Sequence, residues 1–221
     1  MQEISSQQAA APRLIYLHGF LSSPQSAKCE QMRKWLAAQR SIEFCAPLVS
    51  PYPGEAQQAL LALVEESIAG GHPVGLVGSS MGGFWSSYLA ERFQLPAVLI
   101  NPAIHPARFM PAYVGQTLLP YSGEPREYRL SDADVATMRK LEGELQSPLR
   151  GRYWLLAQRG DETLDSRDAE GFYRGQRQTV EEGGDHGFQG FERYCAPIVE
   201  FLFGAATANG IATATAGNSH Q

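Results

Sequence analysis

The sequence predicts a doubly wound, mostly parallel α/β sheet, and three observations lead to this fold class. Short apolar segments alternate along the chain with longer segments whose apolar residues recur at helical spacing. The segment at residues 74–77 has no polar alternation, which is typical of parallel strands covered on both faces. With 221 residues, 43% of them hydrophobic, the chain is long enough for one substantial core and short for two.

Six short segments are predicted as strands because they are apolar and stop at glycine, proline or polar residues. They are residues 13–18, 42–48, 74–77, 97–100, 153–157 and 178–182. The first strand ends at Gly19, and the second is stopped by the turn at residues 50–54, which contains two prolines and a glycine. Because helical segments separate most of them, the strands are expected to lie in one sheet.

Six longer segments are predicted as helices from apolar residues three or four positions apart. They are residues 26–39, 55–69, 81–93, 132–145, 167–173 and 190–203. Pro24 suits the start of the first helix, and Gly70-Gly71 closes the second. One face of the first helix carries Ala27, Met32, Trp35 and Leu36. The second helix is expected to turn four side chains to the core: Leu60, Leu61, Val64 and Ile68.

Residues 102–150 interrupt the alternation of strands and helices, since they are rich in proline before the helix at 132–145. We interpret them as a lid or insertion within one domain that spans residues 13–203. Residues 1–12 are polar and are predicted to form a flexible N-terminus. Residues 204–221 are rich in Ala, Thr, Gly and Asn and have almost nothing to bury, which predicts a disordered tail.

Composition excludes several classes of protein. The net charge of -5 and the absence of a basic stripe argue against nucleic acid or an anionic membrane as a partner. No apolar run approaches the ~18 residues that span a bilayer, and the first residues lack the pattern of a secretory signal. Cys29, Cys45 and Cys195 are far apart and lack CxxC spacing, so they are expected to be reduced thiols. These observations predict a soluble, cytoplasmic protein.

A five-residue motif between the third strand and the third helix predicts a nucleophile. Gly78-Ser79-Ser80-Met81-Gly82 fits the pattern G-x-S-x-G, which exposes its central serine on a sharp strand-to-helix turn. Glycines two positions before and after the serine allow that strained turn, and only Ser80 has both. The alternative is a Gly/Ser turn that begins a helix without any chemistry.

Two backbone N–H groups are predicted to stabilise the oxyanion that forms when a serine attacks a carbonyl. In α/β-hydrolases, one donor is the residue after the nucleophile, here Met81, and the other lies in the loop after an earlier strand. His18-Gly19-Phe20 follows the first strand, and the N–H of Phe20 is the better candidate there. His18 precedes the nucleophile, which is the wrong order for the base, so we expect it to brace this loop.

The acid and the base are expected in the order Ser, Asp or Glu, His along the chain. His186 lies after the last predicted strand and is the candidate general base. Asp161 directly follows a glycine after the fifth strand and is the preferred acid. Asp165 is the second choice because it suits the cap of the next helix, and Glu162 is the third.

These motifs resemble those of the YqiA/YcfP-like group of small bacterial α/β-hydrolases, which are described as esterases. The likeness covers about residues 13–203. The matching stretches are Tyr16-Leu17-His18-Gly19-Phe20 with Ser22-Ser23-Pro24, residues 78–83, Asn101-Pro102-Ala103, Gly160-Asp161-Glu162 with Leu164-Asp165, and residues 183–188. HG and G-x-S-x-G occur in many hydrolases, whereas Asn-Pro-Ala combined with GDExLD and GGDH is much more specific.

The resemblance implies hydrolysis of carboxylic esters, with acyl thioesters such as acyl-CoA as a possible second class. It implies no metal and no dissociable cofactor. It assigns the triad to Ser80, Asp161 and His186, in agreement with the residues themselves. It implies nothing about the tail after Phe203.

An acyl pocket is expected where the insertion meets the nucleophile. The insertion supplies Phe109 and Tyr113, and Phe20 and Trp85 are candidates for the rest of the wall. The alternative is that these residues only bury the insertion against the sheet. The expected partner is therefore a small-molecule acyl ester or thioester.

Three functions are consistent with the residues. The first is a serine esterase that works through an acyl-enzyme on Ser80. The second is an acyl thioesterase, or an acyltransferase to an acceptor other than water, on the same triad. The third is a binding protein that retains the hydrolase fold without catalysis. The sequence leaves the physiological substrate, the acyl chain length and the oligomeric state open.

Overall fold

Six parallel strands form one sheet in the computed structural model, which describes residues 10–38, 41–145 and 148–205. The strands are β1 (Arg13–Leu17), β2 (Glu43–Cys45), β3 (Val74–Ser79), β4 (Pro96–Ile100), β5 (Arg152–Gln158) and β6 (Arg177–Glu181). Their order across the sheet is β2-β1-β3-β4-β5-β6. The order reverses direction between β1 and β3, and ligands bind beyond the carboxyl ends of strands at such a switch point.

Helices cover both faces of this sheet. They are α1 (Ala27–Ala37), α2 (Pro53–Ala69), α3 (Met81–Phe93), α4 (Pro106–Phe109), α5 (Asp132–Glu144), α6 (Ser166–Phe172) and α7 (Cys195–Phe203). Successive residues of a strand point to opposite faces, so Leu76 packs in one core with α2 and α3, and Val77 packs in the other with α1 and α7. The doubly wound α/β class predicted from the alternating segments is confirmed.

The strands differ in burial from the middle of the sheet to its edges. All six residues of β3 are buried, whereas four of the five residues of β6 are half-buried and Arg177 is exposed. At the other edge, β2 has three residues rather than the seven predicted. It pairs only with β1, and Leu48, which was expected to belong to it, is 50% exposed.

Two helices also differ from their predictions. The last one begins as a 3-10 helix, Phe191–Tyr194, before α7 starts at Cys195. In α2, Ile68 is 43% exposed although it was expected in the core, and the adjacent Ser67 is fully buried instead. The Ser67 hydroxyl is satisfied there, since it donates to the Leu63 carbonyl at 2.7 Å and accepts from Arg13 Nη1 at 3.0 Å.

The insertion at residues 102–150 contains α4, a 3-10 helix, Met110–Tyr113, and α5. It packs on the core through Met110, Met138 and Leu141, which are at most 1% exposed. Its C-terminal end is fastened by Glu91, whose carboxylate accepts from the N–H of Gly151 at 2.8 Å and from the Tyr153 hydroxyl at 2.7 Å. The insertion is therefore anchored to the core of the fold at these points.

The predictions for the chain ends fall mainly outside the described residues. The flexible N-terminus was predicted for residues 1–12, of which 10–12 are described, and the tail for residues 204–221, of which 204–205 are described. In the described ranges, no helix has the length and apolar character that crossing a membrane requires.

Candidate active site

Ser80 lies on a sharp turn between β3 and α3. Its backbone has φ 55° and ψ -121°, a left-handed conformation that is strained for any residue with a side chain. The turn is held from both sides. The Ser80 N–H donates to the Ile100 carbonyl at 3.0 Å, and the Ser80 carbonyl accepts from the N–H groups of Gly83 and Ala103 at 2.8 and 3.0 Å. The side chain is thereby presented at the carboxyl end of β3.

The glycines of the G-x-S-x-G motif are required by close backbone approach. A Cβ atom on Gly82 would collide with the Leu17 carbonyl, and one on Gly78 would collide with the Gly82 carbonyl. Because backbone atoms cannot move aside cheaply, larger residues at either position would push α3 away from β1 and β3. The motif thus sets the depth at which α3 meets the sheet.

His186 connects the candidate nucleophile and acid. Its Nε2 lies 3.1 Å from Ser80 Oγ, and its Nδ1 lies 2.8 and 3.0 Å from the two carboxylate oxygens of Asp161. A carboxylate only accepts hydrogen bonds, so Nδ1 carries a proton and Nε2 is the nitrogen that faces the serine hydroxyl. The three predicted residues are therefore brought together in the order that proton transfer from Ser80 requires.

The three candidate acids have different surroundings. The Asp161 side chain is 2% exposed, and its Oδ1 also accepts from the N–H groups of Thr163 and Leu164 at 2.8 and 2.9 Å. Asp165 caps α6, where its side chain accepts from the Arg167 N–H at 3.0 Å, and the exposed Arg167 guanidinium helps to lower its pKa to about 2. Asp165 is thus occupied elsewhere, whereas Asp161 faces the imidazole.

The loop after β1 runs directly beside Ser80. A Cβ atom on Gly19 would lie 3.4 Å from Ser80 Cβ and 3.7 Å from Ser80 Oγ. Within the described ranges, the backbone N–H groups of Phe20 and Met81 have no hydrogen-bond partner. Both predicted oxyanion donors are therefore available at the carboxyl ends of adjacent strands.

His18 braces this loop, as predicted. Its Nε2 accepts from the Val49 N–H at 3.0 Å, so its Nδ1 carries the proton and donates to the Gly19 carbonyl at 2.8 Å. The ring is 2% exposed, and burial lowers its pKa. A neutral His18 with both nitrogens occupied is a structural residue.

Two buried amides hold the loop that carries His186, which we call the base loop (residues 183–189). Asn101 Nδ2 donates to the carbonyls of Asp185 and His186 at 3.0 and 3.3 Å, and Asn101 Oδ1 accepts from the Gln158 N–H at 2.9 Å. Gln158 Oε1 accepts from the N–H groups of Asp185 and Gln189 at 3.3 and 2.8 Å.

Sequence reasoning did not give either amide a role. Asn101 is 4% exposed and Gln158 is 3% exposed, and each stands at the carboxyl end of a buried strand. A polar residue in that position is the signal that was available, because a buried amide must find hydrogen-bond partners. Glu162 adds a further contact, since its Oε2 accepts from the His186 N–H at 3.0 Å.

A cavity of about 570 Å³ opens beside Ser80 and His186. Phe20, Phe109 and Tyr113 line it as expected, and the rings of Phe20 and Tyr113 lie 5.3 Å apart. Tyr121, which is 78% exposed, lines the cavity as well. We call these four residues the aromatic wall.

The expectation that Trp85 lines this cavity is wrong. Trp85 is 2% exposed and its ring packs edge-on against Phe84 and Tyr88. It is the fifth residue of α3, and the helix turns it into the core against the insertion rather than toward Ser80. Sequence reasoning missed Lys28, which does line the cavity.

Residues 13–203 match the model of an uncharacterised protein family, UPF0227. The match covers most of the chain. The chain belongs to this family. Its YqiA/YcfP-like character, which the motifs suggested, is confirmed by this match.

Solved structures with the same fold come from distant sequences. Est1E from Butyrivibrio proteoclasticus superposes with a TM-score of 0.68 at 14% identity, covering 93% of this chain and 90% of that one. Alpha/beta hydrolase domain-containing protein 10 from mouse has a TM-score of 0.64 at 16% identity, with coverages of 87% and 90%. The esterase domain of a Rhodothermus marinus protein gives 0.61 at 14%, with coverages of 93% and 89%. The α/β-hydrolase fold is therefore established.

Proposed function

We propose that this protein is a serine esterase that hydrolyses carboxylic esters through an acyl-enzyme on Ser80. The observation that carries the proposal is the chain of contacts from Ser80 Oγ to His186 Nε2, at 3.1 Å, and from His186 Nδ1 to Asp161, at 2.8 Å. This chain combines a nucleophile, a base and a group that orients the base. It lies at the switch point of the sheet, beside a cavity of about 570 Å³ whose lining includes several aromatic side chains.

The reaction takes two steps. Ser80 Oγ attacks the ester carbonyl while His186 Nε2 takes the hydroxyl proton, and the same proton then passes to the departing alcohol as the C–O bond breaks. Water next attacks the acyl-enzyme, gives a proton to His186, and releases the carboxylic acid as the proton returns to Ser80. Asp161 holds the imidazole tautomer and stabilises the imidazolium in both steps.

The oxyanion of each tetrahedral intermediate would accept hydrogen bonds from the N–H groups of Phe20 and Met81. Both donors lack other partners in the described part of the chain, so no existing hydrogen bond has to be broken before they bind the oxyanion. Met81 also begins α3, and the helix N-terminus carries partial positive charge. Donors that are fixed in advance contribute most to such stabilisation.

The structural neighbours support an ester substrate. Est1E has been solved with ferulic acid bound, and several other neighbours are described as esterases. The aromatic wall of the cavity suits an acyl group, because it offers apolar surface next to Ser80. These points favour a small-molecule ester over a macromolecular partner.

The test is labelling with a fluorophosphonate probe, which reacts covalently with an activated serine. The full chain should be labelled, and Ser80→Ala should abolish both labelling and hydrolysis of p-nitrophenyl butyrate. Ser79→Ala is the matched control, since Ser79 is the adjacent serine outside the contact chain, and it should retain labelling. If Ser80→Ala kept full esterase activity, or the wild type resisted the probe, the proposal would fail.

A panel of acyl donors separates the esterase from its closest alternatives. The proposal predicts a higher kcat/KM for p-nitrophenyl esters than for acyl-CoA thioesters of the same chain length. The reverse order, with Ser80 still labelled, would identify a thioesterase on the same triad. Accumulation of a transferred acyl product with an added alcohol would identify an acyltransferase.

A further inference from the structure

The lining of the cavity beside Ser80 includes the ammonium of a lysine. Among the described residues that line it, Lys28 is the only lysine or arginine, and no aspartate or glutamate lines it. This is notable in a chain of net charge -5, because the protein as a whole repels anions. An ammonium facing a cavity that no carboxylate among the described residues lines therefore needs a reason.

Lys28 is the second residue of α1 and is half-buried. Its Nζ donates to the Gly187 carbonyl of the base loop at 2.7 Å. An ammonium has three N–H donors, so two remain without a partner in the described ranges. Burial lowers the pKa of Lys28 to about 8, against the opposing effect of the carboxylates of Asp185 and Asp161. Lys28 thus carries a charge that burial disfavours, and two of its N–H donors remain available.

Two hydroxyls from the same stretch of chain as Lys28 also face the cavity. Ser22 and Ser26 line it, and within the described part of the chain neither hydroxyl makes a hydrogen bond. Together with Lys28 they form what we call the polar wall. The same cavity is lined by the aromatic wall, three of whose four residues belong to the insertion.

We propose that the polar wall binds a negatively charged group, a carboxylate or a phosphate, on the leaving-group half of the substrate, with Lys28 as its counter-charge. This inference rests on the proposed esterase function and specifies its substrate class. The ammonium and the two hydroxyls supply the donors that such an anion requires.

The position of Lys28 identifies the half of the substrate that carries the charge. Lys28 contacts Gly187, the residue that follows His186. Because His186 passes its proton to the departing group, that group must leave on the side of the base loop. The acyl half then lies toward the aromatic wall, where an anion would lose its hydration without compensation.

A purely structural role makes a different prediction. If Lys28 only fastens the base loop through Gly187, its removal should slow the hydrolysis of every ester by the same factor. If it binds an anion, removal should slow an anionic ester more than a neutral one. The ratio of the two rates therefore separates the roles.

The experiment uses two butyrate esters, one of 4-hydroxybenzoate and one of its methyl ester. Each kcat/KM is divided by the rate of alkaline hydrolysis of the same compound, which corrects for intrinsic reactivity. Lys28→Met should lower the ratio of the anionic to the neutral ester about tenfold or more, the range for hydrogen bonds to a charged group. Lys28→Arg should retain part of the ratio.

Lys34→Met is the matched control because Lys34 is an exposed lysine of the same helix. It should leave the ratio unchanged. The butyrate ester of 4-hydroxyphenyl phosphate, compared with the benzoate, shows whether a phosphate or a carboxylate is preferred. Equal losses on all esters in Lys28→Met, at unchanged melting temperature, would overturn the proposal in favour of a structural role.

A pH series gives a second readout. The titratable groups around Lys28 are Asp161, Asp185 and His186, and these affect the hydrolysis of both esters alike. The ratio should be high below pH 8 and fall as the ammonium loses its proton above that pH, while the ratio of Lys28→Arg stays flat. A flat wild-type ratio would contradict the inference. If neither ester were hydrolysed in a Ser80-dependent way, the proposed function itself would fail.

Discussion

The base loop and the aromatic wall border the same cavity and are held in different ways. Backbone groups of the base loop bond to buried side chains of Asn101 and Gln158, at the ends of two strands. In the aromatic wall, the rings of Phe20 and Tyr113 contact each other, and Tyr121 is 78% exposed. The comparison indicates that buried side chains at the strand ends fix the position of His186, while the insertion shapes the adjacent cavity.

The largest effect is expected at the acid. Asp161→Asn should lower kcat by about 10⁴-fold, the magnitude seen when the orienting carboxylate of a triad becomes an amide, because the amide favours the wrong imidazole tautomer. Asp165→Asn is the control. Asparagine still caps α6, and the change removes only an exposed ion pair with Arg167, so both stability and kcat should change little. A larger loss of kcat in Asp165→Asn would reverse the assignment.

A smaller effect is expected at Asn101, which acts through the base loop. Asn101→Asp keeps the shape and tolerates the backbone φ of 40° but removes both donors to the carbonyls of Asp185 and His186. We expect kcat to fall about 10- to 100-fold with little change in KM, and the pH profile of kcat to shift. Steady-state kinetics from about pH 5 to about pH 9, the range in which histidine titrates, would measure kcat, KM and the pH profile.

Ser86→Ala is the control for Asn101. Ser86 is also fully buried, and within the described residues its hydroxyl has no partner. Its removal should leave both kcat and the pH profile unchanged. If Asn101→Asp lowered stability but left the pH profile intact, Asn101 would be a structural residue rather than a positioning one.

The smallest effect is expected in the aromatic wall. Phe109→Ala should raise KM for p-nitrophenyl octanoate a few-fold, because it removes about 1 kcal/mol of apolar contact, while kcat stays nearly unchanged. Leu119→Ala is the control because Leu119 belongs to the insertion, is 57% exposed and is not among the residues that line the cavity. A loss of kcat in Phe109→Ala would show that the insertion also positions the reacting groups.

Much of the fold was predictable from the sequence because its signals are local. Apolar segments indicated the strands. The glycines around Ser80 indicated which serine lies on the turn, because a side chain at either glycine would collide with backbone atoms. The chain order of Asp161 and His186 was enough to anticipate that they meet, because parallel strands end at one edge of the sheet.

The errors come from the rotation of helices about their axes, which depends on packing partners. Trp85 was expected in the cavity, but α3 is buried all round and turns it into the core. Ile68 was expected in the core, but the adjacent Ser67 is buried instead, where the Leu63 carbonyl and Arg13 satisfy its hydroxyl. Lys28 and Gln158 were missed because their roles depend on contacts with a loop more than 25 residues away.

The position of β6 has a consequence for how activity is lost on heating. The base loop follows β6, the half-buried edge strand, whereas Ser80 follows the fully buried β3. Edge elements open locally at lower free energy than central ones. Hydrogen exchange should therefore be faster in β6 than in β3, and catalysis should cease while the central sheet is still folded. The proposed activity would then be lost by detachment of His186 rather than by unfolding around Ser80.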